Sequence, residues 1–184
     1  MRLFGDPVLK QRAREVEELT DDLVTLVNGM YDTMDLEDGV GLAAPQVGVR
    51  KRIFTFDLHE GEGPGVVINP EIVESEGEVL SDEGCLSVPG FWGRLNRAER
   101  VSVKALDRHG KELRIRDAEG LFAQVLQHEI DHLDGYLYVD RMETLEKLQR
   151  SEPIRKREAD ARRARREAGL DEEDEDHEHE ELPD

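Results

Sequence analysis

Cysteine is almost missing from this sequence. Cys85 is the only one in 184 residues, so no intramolecular disulfide can form and a reducing compartment is expected. Basic residues are also short, 25 against 44 acids, and the resulting charge of −19 excludes a protein that coats nucleic acid through its net charge. No apolar run approaches the ~20 residues that span a bilayer. The start, Met1-Arg2-Leu3-Phe4-Gly5-Asp6, has no apolar stretch of the signal-peptide kind, and Asp6 and Pro7 interrupt it early. These absences point to a soluble, cytoplasmic protein without membrane association. Aromatics make up 5% and all hydrophobic residues 37%, enough for one lean core.

What is present is charge, unevenly arranged. Residues 151–184 carry 14 acids and 7 bases, and residues 1–150 carry 30 and 18, so the body is acidic in its own right. The last fourteen positions, 171–184, hold ten acids and no lysine or arginine, and are expected to be a disordered tail. Residues 151–170 read as a basic helical extension. That leaves 1–150 as the folded domain.

Within it, residues 3–16 read as an extended arm with a turn at Gly5-Asp6-Pro7. Thr20 followed by Asp21 and Asp22 marks a helix start, with acids at the positive end of the dipole. Leu23, Leu26, Val27, Met30 and Met34 then form one apolar stripe, which should end before Gly39. Ile53–Phe56 and Val66–Ile68 read as buried strands around a glycine-rich loop at 60–65. Val101, Val103 and Ala105 alternate, as do Leu113 and Ile115, with Asp107-Arg108-His109-Gly110 as the turn of a hairpin. Residues 118–133 regain helical periodicity. A last helix is expected from near Thr144, broken or kinked at Pro153. The order is helix, strands, helix. It predicts an α+β fold with antiparallel or mixed sheets packed around a central helix, plus an N-terminal and a C-terminal helix.

The central helix carries the sharpest chemical signal, His128-Glu129-Ile130-Asp131-His132. Residues four apart on a helix are rotated by about 400°, so both imidazoles leave from one face and can take two corners of a metal's coordination shell. Glu129, on an adjacent part of the surface, can reach a water at the metal without ligating the ion and act as its base. Two unrelated histidines on a helix would give the same letters. A hydrolytic site also needs a third ligand. Glu143 and Glu146 lie downstream, as in a zincin-like metalloendopeptidase; upstream is the one thiol, Cys85, in the polar, glycine-containing segment Asp82–Ser87. Gln46 follows a small-residue stretch where a backbone can approach a substrate closely, and its amide could donate to an oxyanion or simply face solvent.

Three segments, in this order, resemble the motifs of the peptide deformylase family: Gly39-Val40-Gly41-Leu42-Ala43-Ala44-Pro45-Gln46, Glu83-Gly84-Cys85-Leu86-Ser87 and His128-Glu129-Ile130-Asp131-His132-Leu133-Asp134-Gly135. The resemblance extends over roughly residues 3–148. It implies that Cys85, His128 and His132 hold one divalent metal, ferrous iron natively, with zinc, nickel or cobalt able to substitute. It makes Glu129 the general base and acid, and the Gln46 amide and the Leu86 backbone N–H the oxyanion donors. It implies removal of the formyl group from N-terminal formylmethionine of new peptides. Val40 and Leu126 would line the methionine pocket, Phe91 and Trp92 would sit near its mouth or close the core, and Gly41 would offer main-chain groups to the peptide. Glu83 and Arg97 would pair to fix the second motif. Iron(II) beside a thiolate would leave Cys85 oxygen-sensitive. In some bacterial relatives a C-terminal helix docks on the ribosome; the bases in 155–166, with Arg155, Arg162 and Arg166 on one helical face, could do so here or pair with neighbouring acids. A monomer is favoured.

Overall fold

The computed structural model describes residues 1–59 and 64–150. Met1–Gln149 form one compact unit. The basic extension and acidic tail expected at 151–184 lie outside the described residues, as do positions 60–63 of the glycine-rich loop.

Helix α1 spans Asp21–Leu36. Thr20 is its N-cap in extended conformation, but the hydroxyl makes no capping hydrogen bond, so Asp21 and Asp22 in the first turn carry the favourable end charge alone. Strands β1 (Gly41–Ala43), β2 (Ile53–Phe56), β3 (Gly65–Glu76), β6 (Arg100–Leu106) and β7 (Glu112–Glu119) form a five-stranded sheet in the order β1-β2-β3-β6-β7. Strands β4 (Val79–Cys85), β5 (Val88–Arg97) and β8 (Gln149–Arg150) form a second sheet in the order β4-β5-β8. Every pairing described among β1 to β7 is antiparallel. Helix α2 covers Gly120–Asp134 and the short α3 covers Tyr138–Arg141.

The larger sheet is covered on both faces near β2, and the sequence of β2 shows why. All four of its residues, Ile-Phe-Thr-Phe, are buried. Phe54 and Phe56 pack with Leu126, Ile130 and Leu133 of α2. Ile53 lies on the opposite face with Leu23, Met30 and Met34 of α1. A strand between two helices reads as a continuous apolar run rather than an alternation. Helix α2 therefore packs against the sheet, with its histidines carried on the stretch Ala123–Leu133 that is mostly buried.

Three stretches depart from expectation. Strand β3 runs eight residues beyond Ile68; its last six, Glu71–Glu76, are exposed and acid-rich, with register shifts on both sides of Glu71, one beside Pro70. The segment 79–97 is a β4–β5 hairpin. The inward residues of β4 are Ser81 and Glu83, so its alternation is polar and invisible to a hydrophobicity reading. Over the described residues 144–150, the start of the expected helix is instead a single 3-10 turn, Leu145–Lys147, followed by β8, and its expected break at Pro153 lies outside the described residues. Leu148 packs on Val88, Leu95, Tyr138 and Met142, and this apolar anchor beside the second sheet wins over helix propensity.

The N-terminal arm ties the motifs together. The Arg2 N–H donates to the Gln46 carbonyl at 2.6 Å, and Phe4 N–H to the Ser87 carbonyl at 2.7 Å. Ala13 N–H donates to the Leu133 carbonyl at 2.8 Å. Gly135 ends α2 at φ 85°, and a Cβ there would lie 2.9 Å from the Lys10 carbonyl carbon, so both conformation and contact demand glycine.

Candidate active site

Two separate elements, β4 and α2, deliver three ligand atoms to one point. Cys85 ends β4, and His128 and His132 project from α2 one turn apart. The Cys85 Sγ lies 3.2 Å from His132 Nε2, and His132 Nε2 lies 3.2 Å from His128 Nε2. All three atoms fall within 4.8 Å of one another. Tetrahedral zinc-type bonds of about 2.0 Å to nitrogen and 2.3 Å to sulfur put neighbouring ligand atoms about 3.3–3.6 Å apart. The donor set therefore fits one divalent ion, and its mixed sulfur and imidazole character suits a soft or borderline transition metal.

The tautomer agrees. His128 Nδ1 lies 2.8 Å from Glu83 Oε2. Burial pushes the Glu83 carboxyl up, but its hydrogen bonds with Arg97 and His128 outweigh this and hold it at about 2. Glu83 is thus a carboxylate and accepts from His128 Nδ1–H, which leaves His128 Nε2 facing Cys85 and His132. Burial pulls His128 down, but its hydrogen bonds with Cys85 and Glu83 outweigh this and hold it well above the ordinary imidazole range, whereas burial, with the charges of His128 and Arg97, holds His132 well below it.

Glu129 lies beside this cluster and is 3% exposed. Its Oε2 is buried without a hydrogen-bond partner. Burial raises its pKa to about 7, with His128 pulling it down and Glu83 pushing it up. Strand β1 presses directly on it: a Cβ on Gly41 would stand 2.5 Å from Glu129 Oε1. Glycine at 41 lets the strand backbone reach the carboxylate.

Gln46 is fixed from the other side. Its Oε1 accepts from Ala43 N–H at 2.8 Å, which turns Nε2 towards Ser87 Oγ at 3.2 Å and Cys85 Sγ at 3.5 Å. The amide is 1% exposed. The solvent-facing alternative does not describe this side chain.

A cleft of about 440 Å³ opens over these groups. Val40, Gly41, Leu86 and Phe91 line it together with Gln46, Cys85, His128 and Glu129. Two expected lining residues are elsewhere. Leu126 is fully buried in the core with Ile130 and Leu133, on the sheet-facing side of α2. Trp92 follows Phe91 on β5, where successive side chains point to opposite faces, and its ring lies under Arg94 at 5.9 Å. Leu121, Gln124 and Val125 line the cleft instead. Counting back from His128 by helical spacing gives those positions, so the signal was available in the sequence. Glu143, a downstream candidate for third ligand, is an exposed partner of Lys147.

Comparisons with known proteins agree with this geometry. The polypeptide deformylase family model matches residues 1–148. The chain belongs to the polypeptide deformylase family. A peptide deformylase of Halothermothrix orenii is 54% identical over 142 residues, 77% of this chain and 92% of that protein. One from Thermodesulfovibrio yellowstonii is 51% identical over 150 residues, 80% of this chain and 90% of its own. Among solved structures, a peptide deformylase from Legionella pneumophila superposes with a TM-score of 0.76 at 43% identity, covering 91% of this chain and 96% of that one. The family places this fold, with its antiparallel sheets and central helix, among deformylases, and a Cys-His-His site on it is that of a divalent metal.

Two further residues join the site that sequence reading did not connect to it. Arg97 grips Glu83 through two hydrogen bonds of 2.6 and 2.9 Å, as the expected pair, but also donates to Asp131 at 2.6 Å. Asp131 in turn accepts from Arg141 at 2.7 Å.

Proposed function

We propose that this protein removes the formyl group from the N-terminal formylmethionine of newly made peptides, releasing formate. The observation that carries this is the convergence of Cys85 Sγ and the two imidazoles beside an unpartnered, buried Glu129 carboxylate, in a chain of the deformylase family. Cys85, His128 and His132 would hold one divalent ion. Ferrous iron is proposed as the native one, with zinc, nickel or cobalt as substitutes.

When bound, such an ion supplies a Lewis acid and lowers the pKa of a water towards ~7. The chain's own groups do the rest. Glu129 takes the proton of the attacking water and, as the C–N bond breaks, delivers it to the leaving amine nitrogen. Gln46 Nε2–H and the Leu86 N–H donate to the formyl oxygen while negative charge collects there. Strand β1 is an edge of its sheet, so the peptide can add beside Gly41 as a further strand. Val40 and Phe91, with Leu121 and Val125, offer apolar wall to the methionine side chain.

The test is anaerobic purification with metal analysis, then formate measurement on formyl-Met-Ala-Ser and proteolysis of an unformylated protein. Bound metal with formate release and no proteolysis is expected. Metal without formate, or proteolysis of the protein, would reject the reading in favour of a zincin-like endopeptidase. Gln46→Glu keeps the acceptor for Ala43 N–H and removes the donor. It should cost about 10²–10³ in turnover, ~2.7–4 kcal/mol, with metal retained. Unchanged turnover would remove Gln46 from the oxyanion site.

The reading extends to formylated nascent peptides as substrates, a cytoplasmic monomer, and a ribosomal phosphate contact through 155–166. That contact is supported by the spacing of Arg155, Arg162 and Arg166 in the sequence. Among the described residues no helix is long and apolar enough to cross a membrane.

A further inference from the structure

The ligand His128 is the inner end of a row of alternating charges that runs to the protein surface. His128 Nδ1 donates to Glu83 at 2.8 Å. Glu83, with its side chain 1% exposed, is clasped by the fork of Arg97. The remaining arm of Arg97, Nη1, donates to Asp131 Oδ2 at 2.6 Å. Arg141 then closes on Asp131 with both edges of its guanidinium, Nη2 to Oδ1 at 2.7 Å and Nε to Oδ2 at 3.3 Å. Arg141 is itself steadied by the Tyr136 ring, 4.3 Å from its Cζ, and its side chain is 44% exposed.

Two carboxylates and two guanidiniums alternate here, and the row is electrically balanced only while all four are present. Arg97 is the shared member. Its Nη1 contacts the same Asp131 oxygen that Arg141 Nε reaches. Without Arg141, the buried Asp131 carboxylate has Arg97 as its remaining cation, and the attraction must be met by moving that guanidinium off Glu83. Glu83 would then lose the bidentate hold that sets its plane, and with it the aim of His128 Nε2.

We infer that Asp131 and Arg141 are positioning residues for the metal centre, acting on His128 through Arg97 and Glu83. Neither touches the cleft or the three ligand atoms. This rests on the reading that Cys85, His128 and His132 hold an ion. It assigns a role to the fourth letter of the His-Glu-Ile-Asp-His run, which metal ligation and acid–base chemistry leave unused. It also ties the surface after α2, at Tyr136 and Arg141, to the grip on the ion.

The experiment measures release of metal from the loaded full-length protein into an excess of chelator, together with the visible spectrum of the cobalt-loaded form. Partners one step outside a ligand typically change affinity 10–100-fold, so Asp131→Asn and Arg141→Met, two and three steps further out, should each speed release by about tenfold or less but more than threefold. The cobalt bands should shift, a signature that a loss of stability alone would not produce. Arg141→Lys keeps the charge but loses the two-edged contact and should fall between parent and Arg141→Met. In an Asp131→Asn background, Arg141→Met should add nothing further. Release and spectra equal to the parent's in Arg141→Met, or additive effects in the double variant, would overturn the inference and leave Arg141 a surface ion pair. Should Arg141→Met not fold, Arg141→Lys decides: faster release supports the inference and parent-like release overturns it. A parent that takes up no metal fails the underlying reading instead, and the inference with it.

Discussion

Glu129→Ala should keep its metal and lose formate release by about 10²–10⁴, the range of a lost general acid–base. The argument is geometric. Among the described residues, Glu129 is the one carboxylate buried beside the Cys85–His128–His132 cluster that is left without a hydrogen-bond partner for one oxygen, Oε2. Burying a polar oxygen without a partner is unfavourable, so a protein retains such an arrangement where a substrate or reacting water completes it. The neighbouring carboxylate, Glu83, is committed to Arg97 and His128 and has no spare role. Glu129→Gln preserves the shape against Gly41 and should be nearly as slow as Glu129→Ala, which separates proton transfer from packing. The check is formate release measured against metal content on the same samples. A variant within tenfold of the parent, with metal bound, would mean that another group moves the proton.

Much of this site was legible in the sequence because its signals are local. His128, Glu129 and His132 share one helix, and helical geometry alone puts the imidazoles together. The glycine-rich run at 39–48 led to the expectation of a backbone close to substrate, and the close approach that the structure shows is that of Gly41 to Glu129. What could not be read is what depends on pairing across sequence distance. Asp131 looks like any solvent-facing acid on a helix until β5 brings Arg97 against it. Leu126 and Val125 are equally apolar neighbours, and only the position of the sheet decides which of them is core. Strand β4 was hidden for a related reason. Its inward side chains serve the charged row and the metal cluster, so the sequence there is written for chemistry and lacks the apolar alternation that marks a strand. Over 144–150 the expected start of a helix gave way where a local preference met a tertiary one, the packing of partly buried Leu148.

Cys85→Ala should abolish tight metal binding and activity together, and this is the largest effect expected. The two histidines come from one helix and constrain the ion from one side, whereas Cys85 arrives from the second sheet and supplies the opposing ligand. Its sulfur is 3.2 Å from His132 Nε2, and no described carboxylate or histidine completes a group of three without it. Because an ion that binds only the folded state stabilises it by RT ln(1 + [L]/Kd), about 4 kcal/mol at a thousandfold excess over Kd, the parent's thermal midpoint should rise on metal addition after chelation. The Cys85→Ala midpoint should not respond to the same metal. Its metal-free midpoint should match that of the chelated parent, since Cys85 is only half-buried, at the edge of the small cluster around Tyr138 and Met142. Metal analysis, formate release and melting with and without added ion check the three statements separately. A Cys85→Ala protein that still melts higher with metal and still releases formate would place the third ligand elsewhere, and with it the geometry from which Glu129 and Gln46 take their roles.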